Sequence, residues 1–422
     1  MIEQIELCPG VTLRALQTDK FKTACFSVNF LRPHNRQDAP MDALLPSVLL
    51  RATEHYPDIR SISSHLDELY GASFGTLVRL RGEVKLVGFY ADFIEDAYVP
   101  AGDRIFAPMV EFLEEVLYHP YTEDGCFADR CVEGEKQNLI NAIESALNDK
   151  RAYAANRLKS LMCAEEAYGV PRLGYAEDVA GITPTALWDH YQEVLRCSRI
   201  EIFYAGRLSA AEAAAAFRAV FERRERLQPA AAQTQHIPAA ATVREVSETM
   251  DVTQGNLVLG LRSAITCRDP DYPALLLLNA VYGAGITSKL FVNVREKRSL
   301  CYYASSGLDK FKGMMMISSG IECCQYETAR DAILEELEAC KRGEISDDEL
   351  ESARRQVLSG LQTSLEAPVR LDEYYVGRAI EPAVPELEVL MEQIRGLKKE
   401  ALVAAAQKLS LDTIYFLKGV EA

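Results

Sequence analysis

Apolar residues recur along this chain with two periods, and their order predicts one set of elements that occurs twice. In the first half, apolar and polar residues alternate over 24–30, which predicts a strand because successive strand side chains point to opposite faces. Helices are predicted at 40–52 and 59–69. Two β-rich runs follow, 74–80 and 84–93, and the glycine between them favours a hairpin.

Further helices complete the predicted first half. Apolar residues from Ile105 to Leu117 share one helical face, and Pro120 ends that helix. Leu139 to Leu147 mark the next helix. A strand is predicted at 200–204 and an alanine-rich helix at 210–226.

The second half repeats this order. Its second long helix begins at Ser346-Asp-Asp-Glu349, a capping box that follows Gly343. The other predicted elements are a strand at 257–261, helices at 272–281 and 288–297, β-rich runs at 301–308 and 314–321 split by Gly313, and a closing strand at 414–416. We therefore predict an α+β fold of two duplicated domains, each an antiparallel-rich sheet covered by helices. The predicted domains are 1–227 and 243–422, and the proline-containing, low-complexity segment 228–242 is the predicted linker.

Composition narrows the class of protein. The net charge of the 422 residues is 46 − 62 = −16, and an acidic chain lacks the electrostatic footprint of a nucleic-acid binder. The strongest apolar stretch, 272–281, is too short to cross a bilayer, and the N-terminus lacks a signal-peptide pattern. The eleven cysteines include no CxxC pair, which is typical of free thiols in a reducing compartment. We expect a cytoplasmic protein that binds neither nucleic acid nor membrane.

Two segments carry a family resemblance. ALLPSVLLRATEHYP (43–57), followed by LDELYGASF, resembles the zinc region of the insulinase, or pitrilysin, family of metallopeptidases. YGAGITSKLFVNVREKRSLCYYA (282–304) resembles the family's second domain. The resemblance covers essentially the whole chain and implies the half-clamshell fold of these peptidases. It is closest to a bacterial subfamily of two-domain members, encoded as a zinc-bearing and a zinc-less subunit, whose label links it to elongation factor P modification.

The resemblance also implies that the metal site is missing. The family holds zinc with an H-x-x-E-H motif, whose Glu is the general base, and with a Glu on a later helix. The matching positions are Ala43, Pro46 and Ser47, and then Asn141 and Ala142. None supplies a metal ligand, so we expect no metal, no cofactor and no peptidase activity of the isolated chain.

The histidines lead to the same expectation. No two of the six lie within five residues of each other, so no single helical turn presents two imidazoles. His65, three residues before Glu68, lacks a second histidine and is predicted to be a surface helix residue. Pro46 would cost about 3 kcal/mol inside a helix, so the helix should begin late or kink.

One pair of the family's functional residues is retained. The resemblance implies that Arg295 and Tyr302 bind the substrate backbone and stabilise charge on the scissile carbonyl, a task that suits a guanidinium and a phenol. From the residues alone, the ordinary interpretation is that Arg295 belongs to a charged helix end and that Tyr302 is a strand residue in the core. Tyr303 is an adjacent candidate that should face the opposite way. Gly283-Ala-Gly285 is interpreted as a tight turn before a helix, not as a phosphate loop.

The leading hypothesis is a catalytically silent subunit of a heterodimeric zinc metallopeptidase. It would complete the chamber in which a zinc-bearing sibling binds unfolded peptide, and without that sibling it could pair with itself. The alternative is a non-enzymatic scaffold or peptide-binding protein of the same fold. A peptidase with another nucleophile is a distant third, because such groups meet only in space.

Overall fold

The structure, a computed structural model, describes residues 2–227, 229 and 232–420. Three residues of the predicted linker, 228, 230 and 231, lie outside the described residues. The strands are β1 (Ile2–Cys8), β2 (Val11–Gln17), β3 (Thr23–Pro33), β4 (Ser73–Arg81), β5 (Val84–Ile94), β6 (Thr122–Glu123), β7 (Cys126–Phe127), β8 (Arg199–Gly206), β9 (Arg244–Thr249), β10 (Gly255–Ser263), β11 (Tyr303–Asp309), β12 (Met314–Ile321) and β13 (Leu409–Lys418).

The helices are α1 (Ala39–Leu49), α2 (Ile59–Glu68), α3 (Phe106–Tyr118), α4 (Asp129–Ser145), α5 (Lys150–Met162), α6 (Ala176–Ala180), α7 (Pro184–Cys197), α8 (Ala210–Phe221), α9 (Tyr272–Tyr282), α10 (Tyr326–Lys341), α11 (Asp347–Ser364), α12 (Pro368–Ile380), α13 (Leu387–Gly396) and α14 (Lys399–Gln407). A π-helix spans Leu290–Lys297. Among the described residues, no helix combines the length and the apolar character that crossing a membrane requires.

The chain divides into two compact units, and neither is continuous in sequence. The first contains 1–144, 170–233 and 367–380. The second contains 145–169, 234–366 and 381–422. Helix α5 therefore belongs to the second unit, although it precedes most of that unit in sequence, and α12 belongs to the first.

The first unit is built on a six-stranded sheet in the order β1-β2-β8-β3-β5-β4. Neighbours are antiparallel except for β2 and β8, which run parallel. Phe26 on β3 packs edge-on against Phe217 of α8, with ring centroids 5.4 Å apart. It also lies beside Phe74 and Phe93. This aromatic core joins one face of the sheet to its helices.

The second unit is built on a five-stranded sheet in the order β11-β12-β10-β13-β9, antiparallel except for β13 and β9. Every residue of β10 is buried. Helix α5 packs on β10 so closely that a Cβ at Gly260 would lie 2.5 Å from Met162 Sδ and 3.0 Å from Leu158 Cδ2. The absence of a side chain at Gly260 is what admits the helix.

Buried ion pairs hold two segments, α12 and the end of α5, against sheets from which they are distant in sequence. Asp372 of α12 is buried and accepts hydrogen bonds from Arg79 Nη1, at 2.6 Å, and from Ser27. In the second unit, Glu166 lies just after α5 and binds Arg262 Nη2 at 2.6 Å and Lys312 Nζ at 2.5 Å. Each pair replaces the hydration of a buried charge with an opposite charge.

The predicted α+β class is confirmed, as are many elements. Strand β12 has the predicted bounds, and the hairpin of β4 and β5 turns at Gly82 and Glu83. The capping box at Ser346 opens α11. Of the two alternatives predicted for the first helix, the late start is wrong, because α1 starts at Ala39 and contains Pro46. A kink at Pro46 stays a prediction.

The alanine-rich helix also ends earlier than predicted, at Phe221 instead of Arg226. Arg226 donates to the carbonyl oxygen of Leu195 at 2.7 Å, and the Leu227 N–H donates to that of Arg196. These bonds to the end of α7 hold the chain outside a helical path.

We predict that Glu166→Gln lowers the free energy of unfolding by about 3 kcal/mol or more, because it leaves the buried Arg262 facing a neutral amide. Burial raises the pKa of Glu166, but hydrogen bonds from Arg262 and Lys312 outweigh it, so the net pKa is lowered. The stabilisation is therefore present above the pKa of an unfolded glutamate and is lost as the pH falls through the native value. Urea unfolding at several pH values measures both effects.

The matched control is Glu344→Gln, which removes an exposed carboxylate 2.6 Å from Arg342. It should change stability little, because solvent screens an exposed ion pair. Equal effects of the two substitutions would contradict the role given to Glu166.

Candidate functional site

Helix α1 carries the three positions at which the family motif would place zinc ligands and the base. Ala43 and Pro46 are buried, and Ser47 is half-buried. Leu44, Leu45, Val48 and Leu49 fill the core beside them. Pro46 has no N–H to donate to the Asp42 carbonyl oxygen, yet the Leu50 N–H donates to the Pro46 oxygen at 3.1 Å. Packing holds the helix together around the proline.

A buried polar cluster anchors the start of α1. Asp42 Oδ1 lies 2.9 Å from His190 Nε2 of α7 and 3.3 Å from Arg32 Nε of β3. Arg32 also reaches Glu193 at 3.0 Å and Asp38 at 3.5 Å. The cluster joins one strand and two helices, so protein side chains anchor α1 to β3 and α7.

Helix α4 carries the positions of the later glutamate ligand. Ala142 and Asn141 are both exposed. The Asn141 side-chain oxygen accepts a hydrogen bond from Gln137 Nε2 at 2.9 Å. Neither residue is a carboxylate, which is what this ligand position requires.

The residues at these positions therefore do not fit a zinc ion. Three protein ligands and a water are needed for catalytic zinc, and Ala43, Pro46, Ser47 and Ala142 provide no ligand of the family's type. Within the described residues, no group of three or more His, Cys, Asp or Glu side chains is arranged to hold a metal ion.

His65 lies on α2, the predicted helix, and is only partly exposed. It is half-buried, with its ring centroid 4.8 Å from that of Tyr56 and 5.4 Å from that of Phe112. Burial lowers its pKa. The helical pattern around His65 did not reveal the two aromatic partners, because both come from other elements.

Arg295 lies in the second unit, near the end of the π-helix. Its side chain is 38% exposed, its Cζ lies 4.6 Å from the Phe291 ring centroid, and Nη1 lies 3.5 Å from Glu296 Oε1. Predicted as an ordinary helix over 288–297, this segment is a π-helix, a form often found at functional sites. Arg295 is thus held by an aromatic face while its guanidinium remains accessible.

A short turn connects Arg295 to Tyr302. The Leu300 N–H donates to the Val294 carbonyl oxygen at 3.2 Å, and Ser299 has a positive φ of 51°. Burial raises the pKa of the Cys301 thiol, while a hydrogen bond to Ser319 and the charge of Arg295 oppose that rise. The guanidinium therefore lies within electrostatic reach of the residue that precedes Tyr302.

Tyr302 is exposed and its neighbour is not. The Tyr302 side chain is 60% exposed, its hydroxyl lies 3.4 Å from Glu322 Oε1, and its N–H donates to the Gly320 carbonyl oxygen at 2.8 Å. Tyr303 is half-buried, and its hydroxyl donates to Asn256 Oδ1 at 3.0 Å. Burial raises the Tyr303 pKa. The two tyrosines face opposite ways, and only Tyr302 presents its hydroxyl to solvent.

The glycines before the π-helix form a tight turn. A Cβ at Gly283 would lie 2.5 Å from Ser306 Oγ, and one at Gly285 would lie 2.2 Å from Gln356 Oε1. Neighbouring side chains thus pack against both glycines, which explains why the turn carries no side chain at these positions.

The sequence did not single out Glu322, Asp42 or His190. Glu322 follows a strand that the sequence predicts correctly, but the pairing of β11 with β12 is what brings it to Tyr302. Asp42 and His190 are 148 positions apart. The signal that the sequence offered for this cluster was the position of Asp42, directly before the motif position Ala43.

Comparisons with known proteins relate the whole chain to one family. Residues 181–357 match the family model described as the Peptidase M16 inactive domain. The chain is 32% identical over 412 residues to the "Probable inactive metalloprotease YmfF" of Bacillus subtilis, with 98% of this chain and 96% of that protein covered.

Solved structures agree with this relation. A conserved protein from Enterococcus faecalis V583 has a TM-score of 0.93 and 29% identity, covering 100% of this chain and 99% of that one. A peptidase M16 inactive domain from Pseudomonas fluorescens has a TM-score of 0.80, and its 20% identity shows the fold alone. It covers 100% of this chain and 98% of the other.

We predict that Asp42→Ala lowers the free energy of unfolding by about 3–5 kcal/mol, because Arg32 and His190 lose the buried carboxylate between them. Asp19→Ala, at an exposed position of the same unit, is the control and should have little effect. Denaturant unfolding compares them. An Asp42→Ala protein as stable as the Asp19→Ala protein would show that the cluster does not anchor α1.

Proposed function

Because this chain belongs to the M16, or insulinase, family, we propose that it is the catalytically silent subunit of a heterodimeric zinc metallopeptidase. A zinc-bearing sibling would supply the H-x-x-E-H motif, and this chain would complete the chamber that encloses an unfolded peptide. The observation that carries the proposal is a contrast between two sites. The zinc positions hold Ala43, Pro46, Ser47 and Ala142, whereas the guanidinium of Arg295 and the hydroxyl of Tyr302 stay accessible.

Arg295 and Tyr302 would act on the sibling's substrate. A guanidinium and a phenol can both donate hydrogen bonds to a carbonyl oxygen, and the donation strengthens as negative charge develops there. Phe291 restricts the guanidinium from one side without consuming its N–H donors. Within the part of the chain that the structure describes, the Tyr302 hydroxyl contacts Glu322 at a long 3.4 Å, so a peptide carbonyl could replace this contact at little cost.

The second sheet offers a plausible support for an extended peptide. Strand β11 begins immediately after Tyr302 and lies at an edge of that sheet. An extended peptide can add to such an edge through main-chain hydrogen bonds. The Ser306 N–H is already bonded to the Gly283 carbonyl oxygen at 3.0 Å, so addition would be confined to the ends of β11.

The name of the Bacillus subtilis relative supports the proposal that this chain is catalytically silent, since it describes that protein as a "probable inactive metalloprotease". We extend this description to the present chain. We also retain, as proposals, the cytoplasmic location and the subfamily label that links such proteins to elongation factor P modification.

We predict that Arg295→Ala and Tyr302→Phe each lower the peptidase rate of the mixed sibling complex by a factor of about 10²–10³, the usual cost of losing one oxyanion donor. Cleavage of a quenched unfolded peptide measures the rate. The controls are Arg298→Ala, whose side chain is 41% exposed, and Tyr303→Phe, whose hydroxyl bonds to Asn256 instead of solvent.

Activity at the unsubstituted rate in both test variants would refute the assigned role. If the chain instead copurifies with a partner that has no H-x-x-E-H motif, the scaffold alternative replaces the proposal.

We further predict that neither a zinc chelator nor added zinc changes the thermal unfolding midpoint of the isolated chain. Only a ligand that binds the native state raises that midpoint, and α1 and α4 offer no ligand set for the ion. The mixed complex should contain zinc and lose its activity to the chelator. A zinc-dependent midpoint of the isolated chain would contradict the proposal.

A further inference from the structure

A cavity in the first unit concentrates positive charge in an otherwise acidic protein. Its volume is about 320 Å³, and Arg51, Arg60 and Arg130 line it together with the apolar side chains of Pro57 and Ile59. The whole chain carries a net charge of −16. Three guanidinium groups around one cavity are therefore a local reversal of the protein's charge.

The carboxylates nearby neutralise these arginines only in part. Arg51 Nη1 lies 3.1 Å from Glu135 Oε1, but Arg130 Nε lies 3.7 Å from Glu123 Oε1, a loose contact between exposed groups. Arg60 interacts electrostatically with the Asp58 carboxylate, two residues before it on the same cavity wall. Positive charge remains at the cavity after these contacts are counted.

Asp58 also lines the cavity, but its carboxylate is engaged elsewhere. It caps α2 by accepting a hydrogen bond from the Ser61 N–H at 2.8 Å. The hydrogen bonds from Ser61 lower the Asp58 pKa. The charge of Arg60 lowers the Asp58 pKa further, after the hydrogen bonds from Ser61. Asp58 therefore serves first as the helix cap and offsets the charge of Arg60 only in part.

The chemistry of the lining defines the class of ligand. Guanidinium groups bind carboxylate and phosphate oxygens through paired N–H donors, a geometry that an ammonium does not offer. The volume is at the lower end for small-molecule sites. Pro57 and Ile59 provide an apolar surface for the body of a compact ligand.

We propose that this cavity binds a small multivalent oxyanion, either a phosphate ester or a di- or tricarboxylate, through Arg51, Arg60 and Arg130. Arg51 lies two residues after the end of α1, Arg60 lies on α2, and Arg130 lies on α4. A bound oxyanion connects the ends of these three helices. The site is independent of Arg295 and Tyr302 and does not require the proposed peptidase role.

Two probes separate the two sources of oxyanion. Pyrophosphate represents phosphate esters, and tricarballylate represents polycarboxylates. We expect saturable binding of at least one probe by calorimetry, weakened by salt because the contacts are electrostatic. A ligand that binds the native state also raises the thermal midpoint. Binding of pyrophosphate alone assigns the site to phosphate compounds, and binding of tricarballylate alone assigns it to carboxylates.

Substitutions test the location of the site. Arg60→Ala and Arg130→Ala should each weaken binding about tenfold or more, the usual effect of losing a charged hydrogen bond. Arg60→Lys should restore part of the loss, since it keeps the charge but not the paired donors. Glu135→Gln should tighten binding severalfold, because it frees Arg51. The control Arg104→Ala removes an exposed arginine of the same unit outside the cavity and should leave binding unchanged.

Two results would overturn the proposal. One is the absence of saturable binding of either probe below about 10 mM. The other is an equal loss of affinity in Arg104→Ala and Arg60→Ala, which would show attraction to surface charge in general. Circular dichroism of each variant establishes that the exposed substitutions leave the fold intact.

Discussion

Both sheets depend on one constraint, the pairing of buried carboxylates with cations that are distant in sequence. Glu166 is held between Arg262 and Lys312, and Asp372 lies against Arg79. The surroundings of the two carboxylates differ. Two cations outweigh burial and lower the pKa of Glu166, whereas burial outweighs the single arginine and raises that of Asp372. For both carboxylates, burial beside a cationic partner costs less free energy than burial without one.

Helix α1 shows how a fold can keep a helix whose functional side chains are gone. The positions that resemble metal ligands became alanine, proline and serine, and the space around them is filled by core leucines and valine. Asp42, one residue before the motif position Ala43, binds His190 and Arg32 inside the protein. Polar anchoring of this helix is provided by protein side chains.

Much of the fold was predictable because local pattern and tertiary environment agree. The Ser346 capping box satisfies donors of the first turn of α11 without a distant partner. The alternation over 24–30 correctly predicts a strand, β3, but that pattern indicates one buried face, whereas the structure buries both. Prediction failed where a distant partner decides. Residues 222–226 have the composition of a helix end, but Arg226 donates a hydrogen bond to the carbonyl oxygen of Leu195 instead. The predicted late start of the first helix was also wrong, because core packing keeps α1 helical on both sides of Pro46 despite one missing hydrogen bond.

From the sequence, the candidate site was predictable only as an arginine and a tyrosine, Arg295 and Tyr302, at the spacing that the family resemblance implies. The sequence distinguishes Tyr302 from Tyr303 by alternation alone, and the structure adds the physical difference between an exposed hydroxyl and one bonded to Asn256. It did not predict that Arg295 lies on a π-helix against Phe291. Nor did the sequence predict that Arg51, Arg60 and Arg130 line one cavity. The three arginines lie in different segments, and no regular spacing along the chain relates them.

The exchange of α5 and α12 has a consequence for the integrity of the polypeptide. Each half of the sequence lends a helix to the sheet formed by the other half, so the peptide backbone passes from one unit to the other five times. Proteolytic nicking at the proline-containing segment 228–242 would sever one of these passages and leave four intact. The two fragments would stay associated under native conditions, and each would lose a layer of its core if expressed without the other.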